Sequence, residues 1–150
     1  MPQSLAQVYV HLTYSTAGRR NWLDKALRPD LFAYKAAILR ELDSPAVIIG
    51  GVDDHVHLLF SLSRNHAIKA VVQNVKGSSS MWMKERGRDY AAFQWQAGYA
   101  IFSVSASNSD KVRRYIENQE TRHRKQSFQD ELLALLEKHS MEYDPQHLWD

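Results

Sequence analysis

The sequence predicts an α+β fold: a ferredoxin-like, split β-α-β-β-α-β antiparallel sheet followed by C-terminal helices. Three observations carry this expectation. Segments with the two-residue period of strands and the 3.6-residue period of helices follow one another as strand, helix, strand, strand, helix, strand. A turn rich in Gly and Asp is all that separates the two middle strands. Helical patterning then resumes after the last strand and runs through "SFQDELLALLEKH". At 150 residues the chain has the size of one domain. Within it we expect a core sheet over about 8–105, a helix bearing a tyrosine over about 109–124, and a C-terminal helix and tail over about 127–150.

The first strand is "VYVHLTYST", where apolar and polar residues alternate. "ALRPDLFAYKAAILREL" follows, with Pro29 suited to a first helical turn and Leu31, Tyr34, Ile38 and Leu42 at helical spacing. "SPAVIIGGV" and "HVHLLFSL" read as a hairpin, with Gly50, Gly51, Asp53 and Asp54 at its turn. Ile68, Val71, Val72, Val75, Ser79 and Trp82 mark the inner side of a second helix. "FQWQAGYAIFSVS" is aromatic and β-branched, a strand with a bend at Gly98. "SNSD" then caps a third helix, "KVRRYIENQETRHR", and Ser127 with Asp130 opens a fourth with a Leu-rich face.

Composition excludes several classes. No apolar run approaches the length that crosses a bilayer, and the N-terminus lacks the pattern of a signal peptide. The absence of cysteine excludes disulfides and thiolate metal sites, so any metal is held by nitrogen and oxygen, and the expected location is the cytoplasm. Charge is unevenly spread. Residues 1–126 hold 18 Lys and Arg against 11 acids, whereas residues 127–150 hold one Lys against six acids. A basic working surface and an acidic tail fit this asymmetry, as do two solvated helix faces.

The chemistry begins with His55 and His57. One residue apart on a strand, they share a face and can both reach one ion, although a bare pair of this kind is more often just ordinary polar or core histidines. Two imidazoles do not close a metal site. Tyr115 and Gln119, spaced i and i+4 on the third helix, project from one face one turn apart. Gln119 offers an amide oxygen as a third ligand. Two imidazoles plus one amide oxygen leave positions for water and a phosphate oxygen, which suits Mg2+ or Mn2+. Tyr115 beside such an ion is a candidate nucleophile, since a phenol with a pKa of about 10 needs activation at neutral pH. Between residues 111 and 125 six basic residues stand against two acids, an attraction for a polyanion.

Several further residues are candidates of a softer kind. Lys111, Arg113, Arg114, Arg122 and Arg124 in this segment, Lys69 and Lys76 on the second helix, and Arg19 and Arg20 after the first strand are possible phosphate contacts. Asn108 and Ser109 serve as a helix cap or as a hinge for the tyrosine helix. Trp82, Trp95 and Tyr99 are candidates for base stacking, with core packing the simpler reading. His11, His66, His123, His139 and His147 have no spacing that defines a metal site.

"GGVDDHVHLLFSL", "VKGSSSMWM", "FQWQAGYAIFSVS" and "YIENQETRHRKQSFQDELLALLEKHSMEYD" together resemble the small single-tyrosine HUH transposases of the simplest bacterial insertion sequences, a family that includes repeat-associated tyrosine transposases. The likeness runs from "HLTYST" to the closing "HLW". It implies that His55-Val56-His57 is the HUH motif, Tyr115 the nucleophile and Gln119 the third metal ligand. It further implies a homodimer that cleaves and rejoins single-stranded DNA at hairpin-flanked ends. The tyrosine would keep a 5′ phosphate as a phosphotyrosine, with Mg2+ or Mn2+ as the only cofactor. Two other readings stay open: a domesticated relative that processes chromosomal palindromic repeats, and a non-catalytic nucleic-acid-binding module on the same fold.

Overall fold

The computed structural model describes residues 2–150. In chain order it contains β1 (Tyr9–Ser15), α1 (Arg28–Glu41), β2 (Ala46–Gly51), β3 (His55–Ser61), α2 (Ile68–Lys84), β4 (Ala100–Val104), α3 (Ser109–Glu117), α4 (Gln119–Arg122) and α5 (Phe128–Lys138). The four strands are antiparallel throughout and lie in the order β2-β3-β1-β4, the ferredoxin-like arrangement that the sequence predicts.

Alternation along the two central strands divides the sheet into two buried faces. Val10, Leu12 and Tyr14 of β1 and Val56, Leu58 and Phe60 of β3 join Leu31 and Leu39 of α1 and Val71, Val72, Val75 and Met83 of α2 in the main core. The opposite face carries His11, Thr13 and Ser15 of β1 and His55 and His57 of β3, and these are buried too. Phe102 of β4 meets Phe128, Leu132 and Leu136 of α5 there, forming a second, smaller core. The histidine pair therefore faces a layer of helices. A strand pattern shows that two faces differ, but not what covers the second one.

Three elements depart from expectation for identifiable reasons. The inward side of α1 centres on Leu31, Lys35 and Leu39, with Ile38 and Leu42 packed partly buried against the core as expected and Tyr34 outside it. Lys35 is fully buried and donates to the Tyr14 hydroxyl and to Ser79 Oγ at 3.2 Å, and burial lowers its pKa well below the ordinary lysine value. Strand β4 begins only at Ala100. The residues before it bury Phe93 and Trp95 in the main core, while Lys76 Nζ donates to the carbonyls of Gln96, Ala97 and Gly98 at 2.6, 3.1 and 2.9 Å. Side-chain donors thus replace a ladder over this stretch, apart from a single bridge between Thr16 and Trp95. The third predicted helix is broken at Asn118 into α3 and α4. At its start Asn108 makes no side-chain cap.

Gly50 explains why α3 lies so close to the sheet. It sits opposite His57 on β2, and a Cβ there would meet Ile116 Cγ2 and the Ile116 carbonyl oxygen, both at 2.9 Å. With no side chain at Gly50, α3 seats Ile116 against the sheet. Tyr115 and Gln119, the neighbours of Ile116 on α3 and α4, are carried to the histidine pair.

Candidate metal centre and tyrosine site

Four elements deliver the members of the site. β3 supplies His55 and His57, α3 supplies Tyr115, and α4 supplies Gln119, followed by His123 at its C-terminal boundary. α5 supplies Glu131. Ser127 fixes the start of α5, its Oγ accepting from the Asp130 backbone N–H at 3.1 Å, so Glu131 falls in the first turn and faces inward.

Glu131, only 1% exposed, is the hub. Its Oε1 lies 3.2 Å from His55 Nε2, 2.9 Å from His57 Nε2 and 3.1 Å from His123 Nε2. Its Oε2 accepts from the Tyr115 hydroxyl and from Gln119 Nε2 at 3.1 Å. Gln119 Oε1 and His123 Nε2 lie 3.2 and 3.1 Å from His55 Nε2. The ligand atoms of His55, His57, His123 and Glu131 all fall within 4.8 Å of one another.

The outer nitrogens of both histidines of the pair are occupied. His55 Nδ1 lies 2.7 Å from Asp54 Oδ1, and His57 Nδ1 lies 2.8 Å from His11 Nε2. Both rings therefore aim Nε2 at the centre, as metal-binding imidazoles oriented by a second partner do.

Electrostatics follow from burial and these contacts. Burial opposes a charge on His55, yet its hydrogen bonds to Asp54 and Glu131 outweigh it and raise the pKa to about 9. His57 is lowered because burial outweighs the same carboxylate. Burial would raise Glu131, but hydrogen bonds from His123, His55 and His57 hold it well below the usual carboxylate range. Tyr115 is raised by burial and by the Glu131 charge, and the Arg122 guanidinium, 4.3 Å over its ring, works in the opposite direction.

The donor set fits a divalent ion. Five of the contacts above span 2.9–3.2 Å. Neighbouring ligands around a six-coordinate ion with bonds of about 2.1 Å are separated by about 3.0 Å. Hydrogen bonds and a ligand shell thus require nearly the same positions here. Three imidazoles, an amide oxygen and a carboxylate, with no thiolate, form a nitrogen and oxygen donor set of the kind that holds a divalent ion.

The structure brings together His55, His57, Tyr115 and Gln119. His123, set aside in the sequence reading although it stands four residues after Gln119, joins them, and so does Glu131, which sequence reasoning did not single out. The available signal was the capped start of α5, which turns Glu131 to the same side as Leu132 and Leu136. Among the basic candidates, Lys76 is committed to three backbone carbonyls and is pulled down to about 8 by burial, so it is not a free phosphate contact. Arg113 pairs with Asp110 and Glu117, and Arg114 with Asp110. Arg19 and Arg20 lie over Trp149 and Trp22. Lys69 and Lys111 are exposed. Trp95 is a core residue, and Trp82 stacks on Tyr34. Arg124 lines a cleft of about 430 Å³ with Lys25, Arg28 and His123, and Asp53, Asp54 and Glu120 line it too.

Fold and site together define a class: a ferredoxin-like sheet whose central strand β3 carries a histidine pair, completed by His123 and Glu131 from the helices above it, with a tyrosine on the helix laid across the sheet. Comparison with known proteins names the family. The chain belongs to the IS200-like transposases, whose family model matches residues 4–119. The match contains His55, His57, Tyr115 and Gln119 and ends before His123 and Glu131. ISDra2 transposase TnpA of Deinococcus radiodurans is 32% identical over 71 residues, 44% of this chain and 51% of that protein. The chain therefore aligns with about half the length of this curated relative. Two solved structures share the fold. One is a crystal structure of a candidate transposase from Deinococcus radiodurans R1, with TM-score 0.62, 24% identity, and 79% of this chain and 98% of that chain covered. The other is a REP-associated tyrosine transposase bound to a REP hairpin, with TM-score 0.58, 11% identity, and coverage of 82% and 73%. Among the described residues no helix is long and apolar enough to cross a membrane.

Proposed function

We propose that this transposase cleaves and rejoins single-stranded DNA at hairpin-flanked ends through a phosphotyrosine at Tyr115. The observation that carries the reading is Glu131, whose one carboxylate touches the phenol on one side and three imidazoles on the other. The phenol and the candidate metal ligands of one chain thereby share a single, largely buried hydrogen-bonded cluster, which supports their working together.

His55, His57 and Gln119 would hold the divalent ion, with His123 and Glu131 within reach of the same centre. When bound, the ion supplies Lewis-acid polarisation of the scissile phosphate. The remaining steps belong to the chain. Glu131 holds the Tyr115 hydroxyl in place, and Arg122 over the ring favours the phenoxide character that attack requires. Tyr115 Oη loses its proton and bonds to phosphorus as the bond to the 3′ oxygen breaks, and the departing 3′ oxygen takes up a proton in exchange, giving a 5′-phosphotyrosine and a free 3′-OH. A second 3′-OH reverses the step and rejoins strands. Of the two ions expected, Mn2+ suits the imidazole-rich donor set better. The hairpin carried by the REP-associated neighbour supports a hairpin ligand here, and a homodimer is the assembly that the family resemblance implies.

The test is cleavage of a labelled single-stranded hairpin oligonucleotide with Mn2+, with Mg2+ and with chelator. We expect metal-dependent cleavage that His57→Ala abolishes. Binding without cleavage under all conditions would favour a non-catalytic module, and cleavage in chelator would remove the metal from the account.

A further inference from the structure

One buried group next to the site has no role in this chemistry. His11, 3% exposed on β1, is a diagonal neighbour of His57 on the same face of the sheet. The ring centroids are 5.0 Å apart, and His11 Nε2 lies 2.8 Å from His57 Nδ1. We propose that His11 is a positioning residue for His57, able to exchange donor and acceptor roles with it so that His57 Nε2 can either donate to Glu131 or ligate an ion. The inference rests on the metal reading above.

The hydrogen bonds dictate the exchange. A carboxylate only accepts, so the 2.9 Å contact between His57 Nε2 and Glu131 Oε1 places a hydrogen on Nε2. A neutral His57 then has a bare Nδ1, which must accept from His11 Nε2–H. For His57 Nε2 to ligate a metal, its hydrogen has to sit on Nδ1 instead. That Nδ1–H needs an acceptor, and His11 provides one by carrying its own hydrogen on Nδ1. Each ring has one hydrogen before and one after, so neither changes charge.

His55 makes the contrast. Its outer partner is Asp54 Oδ1, an acceptor in either arrangement, so Nδ1–H of His55 is fixed. A carboxylate or backbone carbonyl beside His57 would fix the hydrogen of that ring on Nδ1 likewise, so that it could donate to Glu131 from Nε2 only as an imidazolium, as His55 does. A neutral imidazole serves both roles. Phe102 and Tyr115, with ring centroids 6.0 and 6.1 Å from His11, flank the ring.

The experiment follows side-chain 15N signals of His57 and His11 with and without Zn2+, a diamagnetic probe, and measures Zn2+ binding by calorimetry in wild type, His11→Gln and His11→Leu. Zn2+ should move the hydrogen of both rings from Nε2 to Nδ1. His11→Leu should weaken Zn2+ binding about 10–100-fold, the usual cost of losing such a partner. His11→Gln, whose amide can donate or accept from the position of Nε2, should stay within about threefold of wild type. If His11→Leu does not fold, the wild-type spectra and His11→Gln decide the matter. Zn2+ uptake with an unchanged His57 tautomer, or equal binding by all three proteins, overturns the inference while leaving the metal reading intact. No Zn2+ uptake by wild type removes both.

Discussion

Replacing Gly50 with alanine should unseat the helix that carries Tyr115 while leaving the sheet folded. The new Cβ would stand 2.9 Å from both Ile116 Cγ2 and the Ile116 carbonyl oxygen. Carbon contacts settle at about 3.5–4.0 Å, so α3 would have to retreat by about 0.6–1 Å. Overpacking of this kind costs about 1–3 kcal/mol. The lower freedom of an unfolded alanine returns about 0.4–1 kcal/mol of that. The net expectation is a loss of about 1–2 kcal/mol, or a melting temperature lower by about 2–8 °C for a chain of this size. Because Tyr115 and Gln119 flank Ile116, DNA cleavage should fall further than stability, by about 100-fold for a 1 Å displacement. Gly77→Ala on α2 is the control: nothing lies within 4 Å of its Cβ, so it should stabilise by about 0.5–1 kcal/mol and leave cleavage unchanged. Urea unfolding and single-turnover cleavage of all three proteins measure both quantities. Wild-type stability and rate in Gly50→Ala would refute the view that this glycine sets the seat of α3.

Ser127→Ala removes the cap of α5 and should cost about 1 kcal/mol in urea unfolding. Acid should destabilise the site through Glu131, whose folded pKa is depressed. Its contribution is full above the unfolded value of about 4.3 and is lost as pH falls through the folded value. His55 has the opposite sign: raised to about 9, it contributes fully below about 6.5 and fades as pH climbs through 9. Stability should therefore fall on both sides of neutrality in wild type, and Glu131→Gln should flatten both limbs; a pH series of urea midpoints checks this.

Much of the fold was legible because local chemistry and tertiary role agree. Alternation along β1 and β3, the Gly-Asp turn and the Ser127 cap each specify one element on their own. What was missed depends on distant partners. Lys35 reads as a surface residue until Tyr14 and Ser79 are seen to receive it, and Lys76 reads as a free cation until three carbonyls of the β4 approach claim it. The site divides in the same way. His55 with His57, and Tyr115 with Gln119, are short-range patterns that strand and helix periods reveal. His123, four residues after Gln119, and Glu131, on the inward side of the capped α5, continue local patterns that name no partner on β3; only the antiparallel register and the folding of α5 over the sheet bring them and His11 in.

The central claim is that Tyr115 is the nucleophile of a single-strand DNA cleavage reaction. It is tested most directly by intact-protein mass spectrometry after incubation with a hairpin oligonucleotide and Mn2+, followed by peptide mapping. The account predicts a covalent protein–DNA species in wild type, with the nucleotide on Tyr115, and no adduct in Tyr115→Phe although that variant still binds the hairpin. An adduct of undiminished yield in Tyr115→Phe, or one mapped to another residue, would contradict it.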